Sequence, residues 1–110
     1  MVKGYSPSDI ETRVVKSFLD IIILIQLKKN ESQSGFDITN FISEKLGKML
    51  SPGIVYSTLY SLEREGFVKG GLDGRKTVYT LTDQGRETVS KMMESFQAEM
   101  GIFVQKYLTL

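Results

Sequence analysis

The residues best equipped to do chemistry on a partner lie in one run, Ser51-Pro52-Gly53-Ile54-Val55-Tyr56-Ser57-Thr58-Leu59-Tyr60-Ser61-Leu62-Glu63-Arg64-Glu65-Gly66. Read as a helix, its Val55, Leu59 and Leu62 fall on one stripe and face a core. The other side carries Ser51, Gly53, Tyr56, Ser57, Tyr60 and Ser61. Hydroxyls and phenols both donate and accept hydrogen bonds, and a glycine among them lets backbone come close. Such a face suits phosphates and base edges. An amphipathic surface helix with no partner is the plain alternative for the same run.

The chemistry that is missing narrows the field. The chain has no cysteine and no histidine, so thiol chemistry, the usual general base and the commonest metal ligand are absent. No nucleophile elbow, no S-x-x-K pair and no phosphate-cradling glycine loop is present. Gly70, Gly71 and Gly74 lie in what reads as a hairpin, not between a strand and a helix. An enzyme is therefore not expected, and no cofactor and no metal site is implied. Fourteen Lys and Arg against thirteen Asp and Glu leave a net charge of +1. That near-neutral balance does not itself point to nucleic acid, but affinity for DNA follows local phosphate contacts.

The candidate face needs a scaffold, and the flanking sequence reads as one. With 110 residues, 41% hydrophobic and 25% charged, the composition is that of one ordinary globular domain. Ser51 can cap the run's N-terminus, Pro52 suits the first helical position, and Gly66 can take the left-handed conformation beyond its end. Upstream, Ser8-Asp9-Ile10-Glu11 has capping-box spacing and predicts one helix to about Lys29. Its stripe of Ile10, Val14, Phe18, Ile21, Ile22 and Ile25, widened by Leu19, Ile23 and Leu27, reads as central and buried on most sides. Asn30–Ser34 reads as a polar loop. Gly35–Leu46 reads as a second helix, with Phe36, Ile38, Phe41, Ile42 and Leu46 apolar. Two short helices joined by a few residues have the layout of a helix-turn-helix, whose second member enters a groove.

Asp73-Gly74 between Phe67–Leu72 and Arg75–Leu81 signals a hairpin, with Arg75 and Lys76 just past its turn. Thr82 caps a last helix over about 83–107, with Asp83 complementing its dipole. Val89, Met92, Met93, Phe96, Met100, Phe103, Val104 and Tyr107 repeat at steps of three and four. Such a helix is about 38 Å long at 1.5 Å per residue, more than a small core covers, so half its stripe needs a partner. The apolar stretch Phe18–Leu27 is about half the roughly twenty residues a membrane span needs. Met1–Ser8 is polar and lacks the apolar region of a secretory signal. A cytoplasmic location with no membrane contact is expected.

In this order the residues resemble the PadR family of winged-helix transcriptional regulators, over about residues 19–86. Leu19-Asp20-Ile21-Ile22-Ile23-Leu24 is similar to the family's first-helix signature. Ser51-Pro52-Gly53 with Tyr56, Leu59, Leu62, Glu63 and Glu65-Gly66 follows its recognition-helix signature. Arg75-Lys76, Tyr79, Leu81-Thr82 and Gly85-Arg86 follow the wing and the start of the last helix. Ser34-Gly35-Phe36-Asp37-Ile38 stands where the family usually has His-Gly-Tyr-Glu-Ile. The chain has no tryptophan, so the drug-binding mode some members build on one is not supported. The single C-terminal helix resembles the smaller branch of the family.

The resemblance implies a mainly α fold with a small β-hairpin wing. Residues 1–81 would form a winged helix-turn-helix DNA-binding domain and residues 82–110 a dimerisation helix. It implies a homodimeric regulator of transcription, a repressor by expectation, bound to double-stranded DNA, with any small-molecule effector unknown. The expected DNA-contact set is Ser51, Gly53, Tyr56, Ser57, Tyr60, Arg64, Arg75 and Lys76. The expected dimer set is Val89, Met92, Met93, Phe96, Met100, Phe103 and Tyr107. Tyr56 and Tyr60 also read as partly buried core aromatics, and Arg64 as a partner of the helix dipole. A winged helix that binds protein rather than DNA is the alternative function.

Overall fold

The computed structural model describes residues 2–110. Its elements in chain order are α1 (Pro7–Ser17), α2 (Leu19–Lys29), β1 (Gln33–Ser34), α3 (Gly35–Leu46), α4 (Pro52–Arg64), β2 (Val68–Asp73), β3 (Lys76–Leu81) and α5 (Asp83–Tyr107). α2 is the hub: Leu19, Ile23, Leu24 and Leu27 pack with Ile38, Ile42 and Leu46 of α3 and with Val55, Leu59 and Leu62 of α4. Val68, Tyr79 and Leu81 of the hairpin and Val89 of α5 close that core. The α4 stripe read from the sequence is thus the buried one.

The single first helix expected from Ser8 to Lys29 is two helices. Ser6, not Ser8, opens α1: its hydroxyl accepts from the Asp9 N–H at 3.1 Å, and Asp9 accepts from the Ser6 N–H at 3.3 Å. The backbone leaves helical geometry at Phe18, with φ −117° and ψ 29°. No proline or glycine marks that position in the sequence. Past the break the Asp20 carboxylate accepts from the Ile21 N–H at 2.8 Å, and the Phe18 ring lies edge-on against Phe96, centroids 5.0 Å apart. No residue of α1 is fully buried, and Ile10 and Val14 stay exposed. Only α2 is the central helix the apolar stripe predicts.

The expected loop at Asn30–Ser34 ends in a short strand. Gln33 and Ser34 pair with Tyr79 and Val78, making a three-stranded antiparallel sheet in the order β1-β3-β2. A two-residue strand is too short to show an alternation, so the sequence carries no signal for it. Ser34 doubles as the N-cap of α3, its hydroxyl accepting from the Asp37 N–H at 3.0 Å.

α5 starts inside the core and leaves it. Thr82 accepts from the Gly85 N–H at 3.0 Å and donates to the Gly66 carbonyl at 2.6 Å, which fixes the helix start to the end of α4. Gly85 lies so close to the Phe67 carbonyl that a Cβ there would overlap it. The core therefore crosses residue 82. Met92 and Met93 pack partly on it, whereas residues 101–110 are all exposed. The radius of gyration is 15.3 Å, against about 13 Å for a compact chain of this length. The protruding end of α5 accounts for the excess. Among the described residues no helix is long and apolar enough to cross a membrane.

Candidate nucleic-acid interface

α4 and the hairpin adjoin at Glu63 and Gly70, and most of the expected residues on them are exposed. Ser51, Gly53, Ser57 and Tyr60 are exposed, Tyr60 by 53%. Ser51 occupies the N-cap position without a side-chain capping bond, unlike Ser6, Ser34 and Thr82, so the expected cap is positional only. Its hydroxyl and the first amides of α4 remain open. A Cβ on Gly53 would meet nothing nearer than the Ser51 hydroxyl at 3.7 Å. The protein's own packing does not call for glycine there, although glycine in a helix costs about 1 kcal/mol relative to alanine.

Tyr56 sits between the two readings given for it. It is partly buried, and its ring covers Gly35 so closely that any Cβ at Gly35 would overlap it. Its other flank faces Tyr60, with ring centroids 6.4 Å apart. Tyr79 completes the aromatic group from the wing side. It is buried, and that burial pushes its phenol above the ordinary value, with Tyr60, Glu63 and Tyr56 adding to the shift. Arg64 is exposed and its guanidinium donates back to the Ser61 hydroxyl at 3.2 Å.

The wing is the β2–β3 hairpin. Asp73 pairs with Lys76 in the ladder, so the two-residue loop is Gly74-Arg75 and not Asp73-Gly74. Gly74 has φ 66° and no other described residue in the loop has a positive φ, which fits a turn with glycine at its first central position. Arg75 is therefore in the loop itself and Lys76 is the first residue of β3, both exposed. Leu72, 81% exposed beside them, is a surface residue that the motifs above do not single out. The alternation Val68, Gly70, Leu72 puts it on the strand face that is buried further down, which is the available signal. Lys69, Arg75 and Lys76 share the hairpin with Asp73, so its charge is mixed. Asp37, at the start of α3, is held below the ordinary 3.8 by the Ser34 N–H, then by the Ser34 hydroxyl, with Lys76 of the wing contributing.

The expected dimer set splits in two. Val89 is fully buried in the protomer's own core and offers no free surface, a correction to its place in that set. Met92 and Met93 are partly committed to the same core, and Phe96 to Phe18. Phe103 and Tyr107 are exposed, and so are Ile102 and Val104. Met100 and Phe103 line an open apolar cavity of about 520 Å³ together with Ile10, Val14 and Phe18. The uncovered apolar surface therefore includes α1, whose stripe the sequence places in the core.

A helical core with a hydroxyl-faced helix and an adjoining hairpin defines a winged helix-turn-helix protein with a long C-terminal helix. The model of the PadR-like family of transcriptional regulators matches residues 23–91, and the chain belongs to that family. It is 38% identical over 76 residues to the negative transcriptional regulator PadR of Bacillus subtilis (strain 168), a match covering 63% of this chain and 41% of that relative. The chain thus spans about two-fifths of the length of the curated relative it matches. A transcriptional regulator from Clostridium thermocellum superposes with a TM-score of 0.73 at 21% identity, covering 86% of this chain and 95% of that one. A PadR-like transcriptional regulator from Bacillus cereus gives 0.72 at 22%, covering 89% and 98%. These two likenesses concern the fold. Members of the family are transcriptional regulators, which sets the enzyme reading aside.

Proposed function

We propose that the chain binds double-stranded DNA as a homodimer and represses transcription. α4 lies in the major groove and the wing on the adjoining backbone or minor groove. The observation that carries the reading is the uncovered face of α4: Ser51, Gly53, Ser57 and Tyr60 are all exposed, with Tyr56 at the edge. Gly53 meets no protein atom that demands it. Open amides at the helix start favour a phosphate, and Arg75 at the hairpin loop is free to meet another. Repression is supported by the likeness to a negative regulator, PadR of Bacillus subtilis. The dimer is supported by the bare apolar end of α5 and by α1 beside it. Two-fold symmetry would set two α4 helices about 34 Å apart, one DNA turn.

Mobility shift against a random duplex at rising salt is the test. Binding must weaken as salt rises. Arg75→Ala with Lys76→Ala must flatten the dependence of log K on log salt by about 0.9 for each phosphate that is no longer neutralised. Absence of any salt-sensitive binding would overturn the DNA reading in favour of a winged helix that binds protein.

A further inference from the structure

The base and the tip of the wing are held very differently. At the base, the Phe67 N–H donates to the Leu62 carbonyl at 2.9 Å, the Thr82 N–H donates to the Phe67 carbonyl at 3.1 Å, and the Thr82 hydroxyl donates to the Gly66 carbonyl. Beyond that, residues 71–77 are all exposed. β2 is an edge strand, with β3 on one side and no strand on the other. Between base and tip, one side chain reaches across from α4: the Glu63 carboxylate accepts from the Gly70 N–H at 3.0 Å. Among the described residues this is the one side-chain hydrogen bond between α4 and the hairpin.

The surroundings of Gly70 make that bond close and directional. A Cβ on Gly70 would lie 3.3 Å from the Thr77 methyl, 3.3 Å from Cε1 of Tyr79 and 3.4 Å from the Glu63 carboxylate. Tyr79 is buried and cannot easily yield. At 3.4 Å a Cβ would only touch the carboxylate, so what keeps residue 70 small is the crowding by Thr77 and Tyr79. The bond also fills an edge-strand donor that water or another strand would otherwise take, and a bond to a carboxylate is stronger than a neutral one. An acidic side chain on the helix that faces DNA is otherwise a cost, because it repels phosphates.

We infer that Glu63 is a positioning residue for the wing: by holding the Gly70 N–H it sets the angle between α4 and the hairpin at which Arg75 and Lys76 meet DNA. This rests on the DNA reading above. The hairpin is anchored in the core through Val68, Tyr79 and Leu81, so a small change of angle at Gly70, beyond that anchor, is carried out to Gly74-Arg75. Glu63 itself touches no base. It acts through Gly70, and its value to binding shows only when the wing cations are present.

Two variants isolate the bond from the charge. Glu63→Ala and Glu63→Gln remove the same negative charge, but the glutamine carbonyl still accepts from Gly70. In the free protein, hydrogen exchange at the Gly70 amide should accelerate in E63A and stay protected in E63Q, with Val68 unchanged in both. Against a random duplex, the salt slope of E63A should fall below that of E63Q by up to about 1.8, two phosphate contacts at about 0.9 each. In a background of Arg75→Ala and Lys76→Ala that difference should vanish. Equal Gly70 exchange in the two variants, equal slopes, or a difference that survives in the wing-less background would each overturn the inference. Should the Arg75 and Lys76 variant itself bind like the wild type, the DNA reading of the wing falls and the inference falls with it. The exchange measurement then shows separately whether the bond exists in solution.

Discussion

α4 leaves one face bare, the last turns of α5 are bare all round, and what the two expose is opposite in kind. On α4 it is made of serines, a glycine and tyrosine edges. On α5 it is made of Ile102, Phe103, Val104 and Tyr107. A small polar face loses little in water and gains when phosphates or base edges replace that water. An apolar face loses in water and gains from any apolar cover, at roughly 25 cal/mol per Å². The two faces therefore suit different partners, and the proposed ones are DNA for the first and a second copy of the chain for the second. What separates them is side-chain chemistry, since both have the same helical periodicity.

The strongest way to break the comparison is to charge the apolar face. Phe103→Glu with Tyr107→Glu should leave the protomer folded, because these side chains are 44% and 65% exposed within it. An unpaired carboxylate buried in an interface costs several kcal/mol, and about 3 kcal/mol is more than a hundredfold in the dissociation constant. Sedimentation equilibrium should show dimer for the wild type and monomer for the variant, with binding to paired half-sites abolished. Phe96 is the wrong residue for this test, since its ring already packs on Phe18. A wild type that is monomeric at tens of micromolar and still binds a single operator tightly would sink the dimer.

The contrast between the halves of α5 also marks what the sequence could tell. Its stripe meets the core from Val89 to Met93 and runs bare at Phe103 and Tyr107, and the boundaries Asp83 and Tyr107 are legible from the Thr82 cap and the end of the repeat. Periodicity says which way a residue faces but not how far the core extends. Val89 therefore falls in the expected dimer set although the core takes it, and Ile10 and Val14 read as buried although the break at Phe18 leaves them outside. No proline or glycine marks that break. α3, α4 and the hairpin are legible because caps, Pro52, Gly66 and the Asp73-Gly74 signal mark their ends. The loop slips by one residue because Gly74, not the Asp-Gly pair, sets the turn. The Glu63–Gly70 bond is invisible in the sequence because it joins residues seven apart across a corner.

On the polar face, Tyr56 is where core and partner compete for one side chain. Tyr56→Phe keeps the ring over Gly35 and should change stability by no more than about 0.5 kcal/mol. If the hydroxyl contacts DNA, specific binding should weaken by about 1–3 kcal/mol. Tyr56→Ala should lower both stability and affinity, uncovering Gly35 and loosening the turn into α3. Urea unfolding and operator titration on the same samples separate the two effects. Wild-type affinity in Y56F together with unfolding in Y56A would assign the residue to the core.

Gly53 sharpens the comparison with a change of opposite sign in its two readouts. Alanine meets no protein atom at that position, so Gly53→Ala should stabilise the fold, by up to about 1 kcal/mol. The same methyl would stand between the first turn of α4 and DNA and should weaken binding several-fold. A variant that is more stable and binds equally well would show that the start of α4 stays clear of the DNA.

The smallest effect belongs to acid, and it tests how the wing sits against α3. Asp37 accepts from the Ser34 N–H at 3.0 Å, and its pKa lies below the ordinary 3.8 through that bond, the Ser34 hydroxyl and the positive charge of Lys76. A carboxylate whose folded pKa is depressed stabilises fully above the unfolded value. Its contribution disappears as pH falls below 3.8 and through the folded pKa. Wild type and Asp37→Asn should therefore differ most in urea midpoint above about pH 4 and converge in stronger acid. The carboxylate remains open to water, which keeps the effect small. Lys76→Ala should raise the Asp37 titration point, followed by NMR, while leaving the Ser34 bonds in place. The Lys76 charge acts on Asp37 only if the hairpin stays beside α3, whereas the capping bonds act wherever the wing goes. An Asp37 that titrates at the same pH with and without Lys76 would mean that the Lys76 charge does not reach it in solution.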